Sequence, residues 1–275
     1  MLFLLAFAIA AEPGSLPGVY APAPQLDVDL LVPWSTVGFS PAAPESVAFG
    51  PDHLALGPDG RWALWDPVRH VILVDGEAWP RASGAPAVLA RVDGLAFASN
   101  GDLVILDASA RILTRWDGTS RWTLPMDRLC PKDVRLVIDG ELAAGIDAFG
   151  NVRPLADLSA GLNPAEGPKL LAPEYVARVS NGVVEIDSPG AQQTVIDAPA
   201  DSLAARIVGD WVLVEAGQPG KLRERVLISL ETGRSVGLPL DGRYRPASGV
   251  TAGPDGTVGF LNPAADGLHI VRVSP

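Results

Sequence analysis

HLALGPDGRWALWDPVRHVILVDG, residues 53–76, and GLAFASNGDLVILDASARILTRWDG, residues 94–118, are two copies of one pattern. Each has an apolar run, a turn built on Asp-Gly or Asn-Gly, a second apolar run that ends in Asp, and a third run after a short break. The turn residues supply positive φ at low steric cost. The second run, 62–65 in one copy and 103–106 in the other, is apolar on both faces, as a strand sandwiched between neighbouring sheets must be. The carboxylates that close it, Asp66 and Asp107, are placed to accept backbone N–H groups one or two residues on. That fixes the turn into the third strand, 70–74 or 111–116.

The pattern recurs in VRLVIDGELAAGID (134–147), YVARVSNGVVEID (175–187), AARIVGDWVLVE (204–215) and GVTAGPDGTVGFLN (249–262), which end in Asp147, Asp187, Glu215 and Asn262. Asp66, Asp107, Asp147 and Asp187 follow one another at intervals of 41, 40 and 40 residues. Self-similarity at this spacing is that of one four-stranded propeller blade. Six copies predict an all-β, six-bladed β-propeller whose six terminal acidic or amide residues are structural turn caps. Only 28 residues separate Asp187 from Glu215, so the fourth blade is expected to lack its outer strand. The fifth, with RERVLISLETGRSVGLPL (223–240), reads as complete.

The last copy reaches only a third strand, LHIVRV (268–273), and leaves a sheet edge in need of a partner. Either LDVDLLV (26–32) or ESVAFG (45–50) is available as the N-terminal closing strand. Closure hides edges that an open array leaves bare. Gly and Pro, 29 and 26 of 275 residues, far exceed their ordinary combined share of about 12 per cent. They punctuate short apolar runs, so long helices are not expected. Residues 26–275 read as a single domain.

Residues 1–11, MLFLLAFAIAA, are uncharged and end in Ala-Ile-Ala-Ala. The run is too short to span a bilayer as a helix, which takes about 20 apolar residues. It predicts a signal peptide, although no Lys or Arg precedes it. The four prolines of 12–25 make that stretch an extended spacer. The chain is therefore expected to be exported, periplasmic or secreted, with no transmembrane segment once processed. Cys130 is the single cysteine; no intramolecular disulfide forms, and next to Pro131 it reads as a small buried apolar residue. Without CxxCH or paired cysteines, covalent haem and cysteine-bound zinc or iron–sulfur clusters are excluded.

The net charge of −11 makes nucleic acid an unfavourable partner, which needs a cationic surface. Anionic lipid is disfavoured on the same ground. His53, His70 and His269 are the only histidines, and none has metal-ligand spacing. Neither a GxSxG elbow nor a phosphate loop is present. A metal ring built from the repeated carboxylates is rejected, because ring-related copies lie too far apart to share an ion at about 2.4 Å per ligand. No metal and no cofactor are expected. Arg135, Arg178 and Arg206 fall on the presumed innermost strands of three successive blades, near an axial channel. Guanidinium there needs anionic partners, either protein carboxylates such as Asp133, Glu174 or Asp201, or a bound anionic ligand. Trp34, Trp79, Trp122 and Tyr244 are the candidate exposed anchors for a partner. Trp62, Trp65, Trp116 and Trp211 lie within strand patterns and are assigned to the core.

With its apolar–Asp-Gly–apolar–Asp pattern, GPDGRWALWDPVRHVIL (57–73) resembles NHL-type repeats, as does SNGDLVILDASARIL (99–113). The resemblance implies a six-bladed propeller, a fold shared by many binding scaffolds and a minority of enzymes. PESVAFGPDHLALGPDG (44–60) is similar to the opening of the six-bladed lactonase and strictosidine-synthase-like group. That likeness implies Glu45 as a calcium ligand or axial catalytic residue of a calcium-dependent lactonase or esterase. Such sites draw further Asn and Asp ligands, and the five Asn here, Asn100, Asn151, Asn163, Asn181 and Asn262, sit in turns or a Pro-rich loop. The preferred reading is a non-catalytic, exported scaffold with a protein or glycan partner, and the hydrolase is the alternative.

Overall fold

The structure is a computed structural model that describes residues 28–41, 48–79, 91–107, 109–117, 121–125, 135–139, 141–146, 152–159, 163–164, 176–180, 182–187, 194–199, 201–218, 221–239, 249–253 and 255–274. Across these the chain is almost entirely β-strand. The one helical element among them is a 3-10 turn at Pro58–Gly60, and no helix is long and apolar enough to cross a membrane.

Strand β1 (Val28–Pro33) precedes the first repeat. The first sheet holds β2 (His53–Leu56), β3 (Trp62–Asp66), β4 (Val71–Val74) and β5 (Glu77–Trp79) in that order. The second holds β6 (Gly94–Phe97), β7 (Leu103–Asp107), β8 (Ile112–Trp116) and β9 (Arg121–Pro125). The third holds β10 (Arg135–Asp139), β11 (Leu142–Ile146), β12 (Val152–Asp157) and β13 (Asn163–Pro164). In the fourth there are three strands, β14 (Val176–Ser180), β15 (Val183–Asp187) and β16 (Thr194–Asp197). The fifth returns to four, with β17 (Ser202–Val208), β18 (Trp211–Gln218), β19 (Lys221–Ser229) and β20 (Ser235–Gly237). The short Asp187 to Glu215 interval has this shape as its cause, since a missing outer strand shortens the repeat.

The sixth sheet combines β21 (Val250–Ala252), β22 (Val258–Pro263) and β23 (Gly267–Val273) with β1, which lies on the outer edge of β23. Leu31 stands opposite His269, Val32 opposite Leu268 and Pro33 opposite Gly267. Of the two N-terminal segments, 26–32 therefore supplies the strand that pairs with β23. Phe49, from the other, makes a lone bridge to Ser40. Every pairing in the six sheets is antiparallel. The first strands of the sheets meet one another: β2 lies against β6 and β21, β6 against β10, and β17 against β14 and β21.

The second strands explain the stacking. In β3, Trp62 and Leu64 pack against Leu261, Leu268 and Ile270 of the sixth sheet, while Ala63 and Trp65 pack against Leu95, Phe97 and Ile105 of the second. In β7, Leu103 and Ile105 face the first sheet, and Val104 and Leu106 face Leu136, Ala143 and Leu155 of the third. In β18, Val212 and Val214 meet Val184 and Ile186 of the fourth sheet, and Trp211 and Leu213 meet Phe260 and Val271 of the sixth. Side chains alternate across a strand, so a strand between two sheets is apolar at every position. Trp62, Trp65 and Trp211 are core, and Trp116 packs on the same cluster as Trp65.

One of the aromatic anchors is corrected by the packing. Trp79 is only 6% exposed. It stands opposite Ile72, on the face that looks into the second sheet, and its ring lies 5.2 Å from that of Trp116. Trp34 is half-buried, packs on the core between the first and sixth sheets, and donates Nε1–H to the Ala264 carbonyl at 3.2 Å. Trp122 pairs with Arg115 through its backbone; Tyr244, Glu45, Asp147 and Cys130 lie outside the described residues.

Trp211 is fully buried between the fifth and sixth sheets. Trp211→Ala is expected to lower the unfolding free energy by about 3–5 kcal/mol, measured by urea denaturation. A loss below about 1 kcal/mol contradicts this packing.

Candidate functional site

Two of the strand-end carboxylates act on nearby backbone. Asp66 is fully buried. Its Oδ1 accepts the N–H groups of Val68 at 3.0 Å and Arg69 at 3.1 Å, and its Oδ2 accepts that of Gly38 at 2.6 Å. Arg69 in turn donates to the carbonyls of Ser35, at 3.0 Å, and Thr36. The turn after β3 thus clamps the segment that follows β1. Contact there is so close that a Cβ on Gly38 would sit 2.4 Å from that of Val68. Asp107 makes the simpler contact, accepting the Ala110 N–H at 2.7 Å.

Glu215 and Asn262 are not turn caps. Glu215 lies inside β18, which runs on to Gln218, and its Oε1 accepts Nε and Nη2 of Arg225 at 2.7 Å each. The two residues are directly opposite in the β18–β19 ladder. A longer hairpin moves the equivalent position into mid-strand, where a carboxylate has a cross-strand cation as its partner. Asn262 likewise lies inside β22, opposite His269. Asp187 is the last residue of β15.

A second set of charged groups was hidden in the strands. Arg61 of the first sheet donates Nη1–H to the Gly101 carbonyl of the second at 3.0 Å and Nε–H to Asp75 at 3.0 Å, with its guanidinium 5.2 Å from the centre of the Phe97 ring. Arg115 of β8 pairs with Asp102 at 2.6 Å and donates to the Leu158 carbonyl, beyond β12 of the third sheet, at 2.6 Å. Arg272 of β23 donates to the Gly60 carbonyl of the first sheet at 2.6 Å. Gly60 and Gly101 are equivalent turn glycines of the first two repeats, with φ of 76° and 86°. The same tie from one sheet to the next turn is therefore made twice over. The legible signal was an Arg within an apolar third strand, ILTRW or HIVRV.

Two of the inner-strand arginines, Arg178 and Arg206, are placed by the packing of their neighbours. Ala177 and Val179 of β14 and Ala205 and Ile207 of β17 pack together in the core between the fourth and fifth sheets. Alternation then puts Arg178 and Arg206 on the two faces turned away from that interface. They therefore leave their strands on opposite sides of that interface. Arg178 stands opposite Glu185 in the ladder, and Arg135 is placed by its backbone opposite Ile146.

His53 Nδ1 is 2.7 Å from Asp52, and His269 Nε2 is 2.8 Å from Asp266. The His269 contact, with backbone hydrogen bonds, holds the Asp266 carboxyl below its usual range. Burial raises the carboxyl of Asp255, but hydrogen bonds from Thr257 and the nearby Arg272 outweigh it and leave this group below its usual range too. Among the described residues, no three His, Cys, Asp or Glu side chains come together in a group that could hold a metal ion.

No family model matches the sequence, and no curated protein matches it. Solved structures similar in shape include YCF48 bound to D1 peptide, at 12% identity and a TM-score of 0.49 over 92% of this chain and 98% of that one. A virginiamycin B lyase from Staphylococcus aureus matches at 13% identity and 0.38, over 82% and 85% of the two chains. A putative gluconolactonase matches at 11% identity and 0.42, over 88% and 93%. At such identities and scores no activity passes from these proteins to this chain.

Removing three N–H partners at once should cost more than removing one. Asp66→Ala is expected to destabilise by on the order of 3 kcal/mol and Asp107→Ala by on the order of 1 kcal/mol; equal losses in urea melts contradict the clamp. Asp255 contributes stability that is present above the unfolded carboxyl pKa and lost as pH falls through its lower folded value. Stability of the native chain should therefore drop below about pH 4, and Asp255→Asn should flatten part of that drop.

Proposed function

We propose that the six sheets close into one six-bladed ring, completed by β1, and that the ring is an exported, non-catalytic scaffold for a protein or glycan partner in the cell envelope or outside the cell. The observation that carries this reading is the use of charge inside the stack. Arg115 is paired with Asp102, Arg225 with Glu215, and Arg61 and Arg272 hold the turn carbonyls of adjoining sheets. Groups tied in this way stiffen a frame, and a stiff frame leaves its connecting turns to vary for recognition. The apolar run 1–11 and the prolines of 12–25 support export and display. A net charge of −11 supports a basic partner surface over nucleic acid or anionic lipid. Trp122 and Tyr244 keep their assignment as aromatic contacts, and the ring works without metal or cofactor.

The test has two arms. Exported protein is sequenced from its N-terminus, with processing near Glu12 expected and an intact Met1 as the outcome against export. Tagged mature protein is then used to capture partners from envelope extract with and without chelator, and the same partner is expected in both. Calcium-dependent hydrolysis of a lactone or ester by the purified chain would replace this reading with the hydrolase one.

A further inference from the structure

Among the described residues the fourth sheet stops at β16, one strand short of the other five. Ala198 donates its N–H to the Gly182 carbonyl at 3.0 Å. In an antiparallel ladder, residues alternate between turning both backbone groups toward a neighbour and turning both away. Counting back from Ala198, Ile196 and Thr194 face β15, and Val195 and Asp197 turn their N–H and C=O groups to the open edge. The side chains alternate as well. Ile196 packs in the core shared with the fifth sheet, whereas Val195 is 56% exposed, more than Leu31, Phe49 or Leu203, and Asp197 is exposed beside it. Natural edges are usually guarded by Lys, Pro or a bulge. Thr194–Asp197 has no Lys or Pro, and its register with β15 is unbroken.

We infer that β16 is a strand-addition site, occupied by an extended segment of a partner protein in which an apolar residue and a Lys or Arg stand two residues apart. The inference rests on the scaffold reading above and states where and with what chemistry the scaffold binds. Val195 and Asp197 share one face two residues apart, so an added strand places an apolar side chain and a cation on that face. Glu185, directly across from Val195, stands opposite Arg178 on its other side, so the charge offered at the edge is that of Asp197. The same charge argues against a second copy of this chain, since each copy brings a net −11 to the contact.

Purified mature protein is titrated with two blocked, monomeric strand peptides, one carrying Val and Lys two residues apart on one face and the other Val and Glu at the same positions, followed by fluorescence anisotropy and backbone hydrogen exchange. The Val-Lys peptide is expected to bind about tenfold more tightly or better, with new protection at Val195 and Asp197. Val195→Pro removes an outward N–H and leaves the ladder to β15 intact, so it should weaken binding about tenfold with an unchanged circular dichroism spectrum. Asp197→Lys should reverse the preference between the two peptides. Equal binding of both peptides, or full binding by a folded Val195→Pro protein, overturns the inference. So does a dimer in sedimentation velocity that Val195→Pro dissolves, because that gives the edge to a second copy. An envelope partner still captured by Val195→Pro protein removes the edge assignment and leaves the scaffold intact. Strand-peptide binding without any envelope partner leaves the edge intact and removes the scaffold.

Discussion

Burial of second strands such as β3, β7 and β18 between two neighbouring sheets is the constraint on which the rest depends. A strand such as Trp62–Asp66, with all five residues buried, has no solvated face and is stable only with a sheet on either side. Hydrophobic burial of that kind is non-directional, so it compacts the stack without fixing how the sheets are turned. Direction comes from the guanidinium ties. Arg61 reaches from the start of β3, and Arg115 and Arg272 from third strands, to carbonyls of the neighbouring sheet, and a hydrogen bond weakens steeply once its donor angle falls below about 120°.

The same logic sorts the carboxylates. A short side chain at a strand end, as at Asp66 and Asp107, finds unpaired N–H groups in its own turn. One carried into mid-strand by a longer hairpin, as at Glu215, finds a cross-strand partner in its place. Position within the ladder, more than residue type, decides which role the group takes.

Repetition made most of the architecture legible. The Asp intervals locate the strand triplets, the two-faced apolar runs reveal stacking, and the short fourth interval foretells a three-stranded sheet. What periodicity does not carry is orientation. Trp79 reads as a rim residue until its pairing with Ile72 turns it inward. Arg178 and Arg206 read as neighbours on adjacent inner strands, yet the parity of each strand sends them to opposite sides of the interface between their sheets. The ties made by Arg61, Arg115 and Arg272 join positions 40, 43 and 212 residues apart, beyond the reach of any local pattern. The outward direction of the Val195 and Asp197 backbone groups is likewise a matter of register, visible only once the direction of the Ala198 amide is known.

The pairing of β1 with β23 joins the two ends of the described chain in one ladder, which has a kinetic meaning. Loop-closure entropy grows only with the logarithm of length, so the final stability suffers little from so distant a contact. The rate suffers more, because non-local pairing slows folding. During synthesis β1 is made well before β23 and must wait for it, with Leu30 and Val32 lacking the surface they will cover. A chain built in this way completes that ladder late, and loss of β23 would leave Leu30 and Val32 of β1 adhesive.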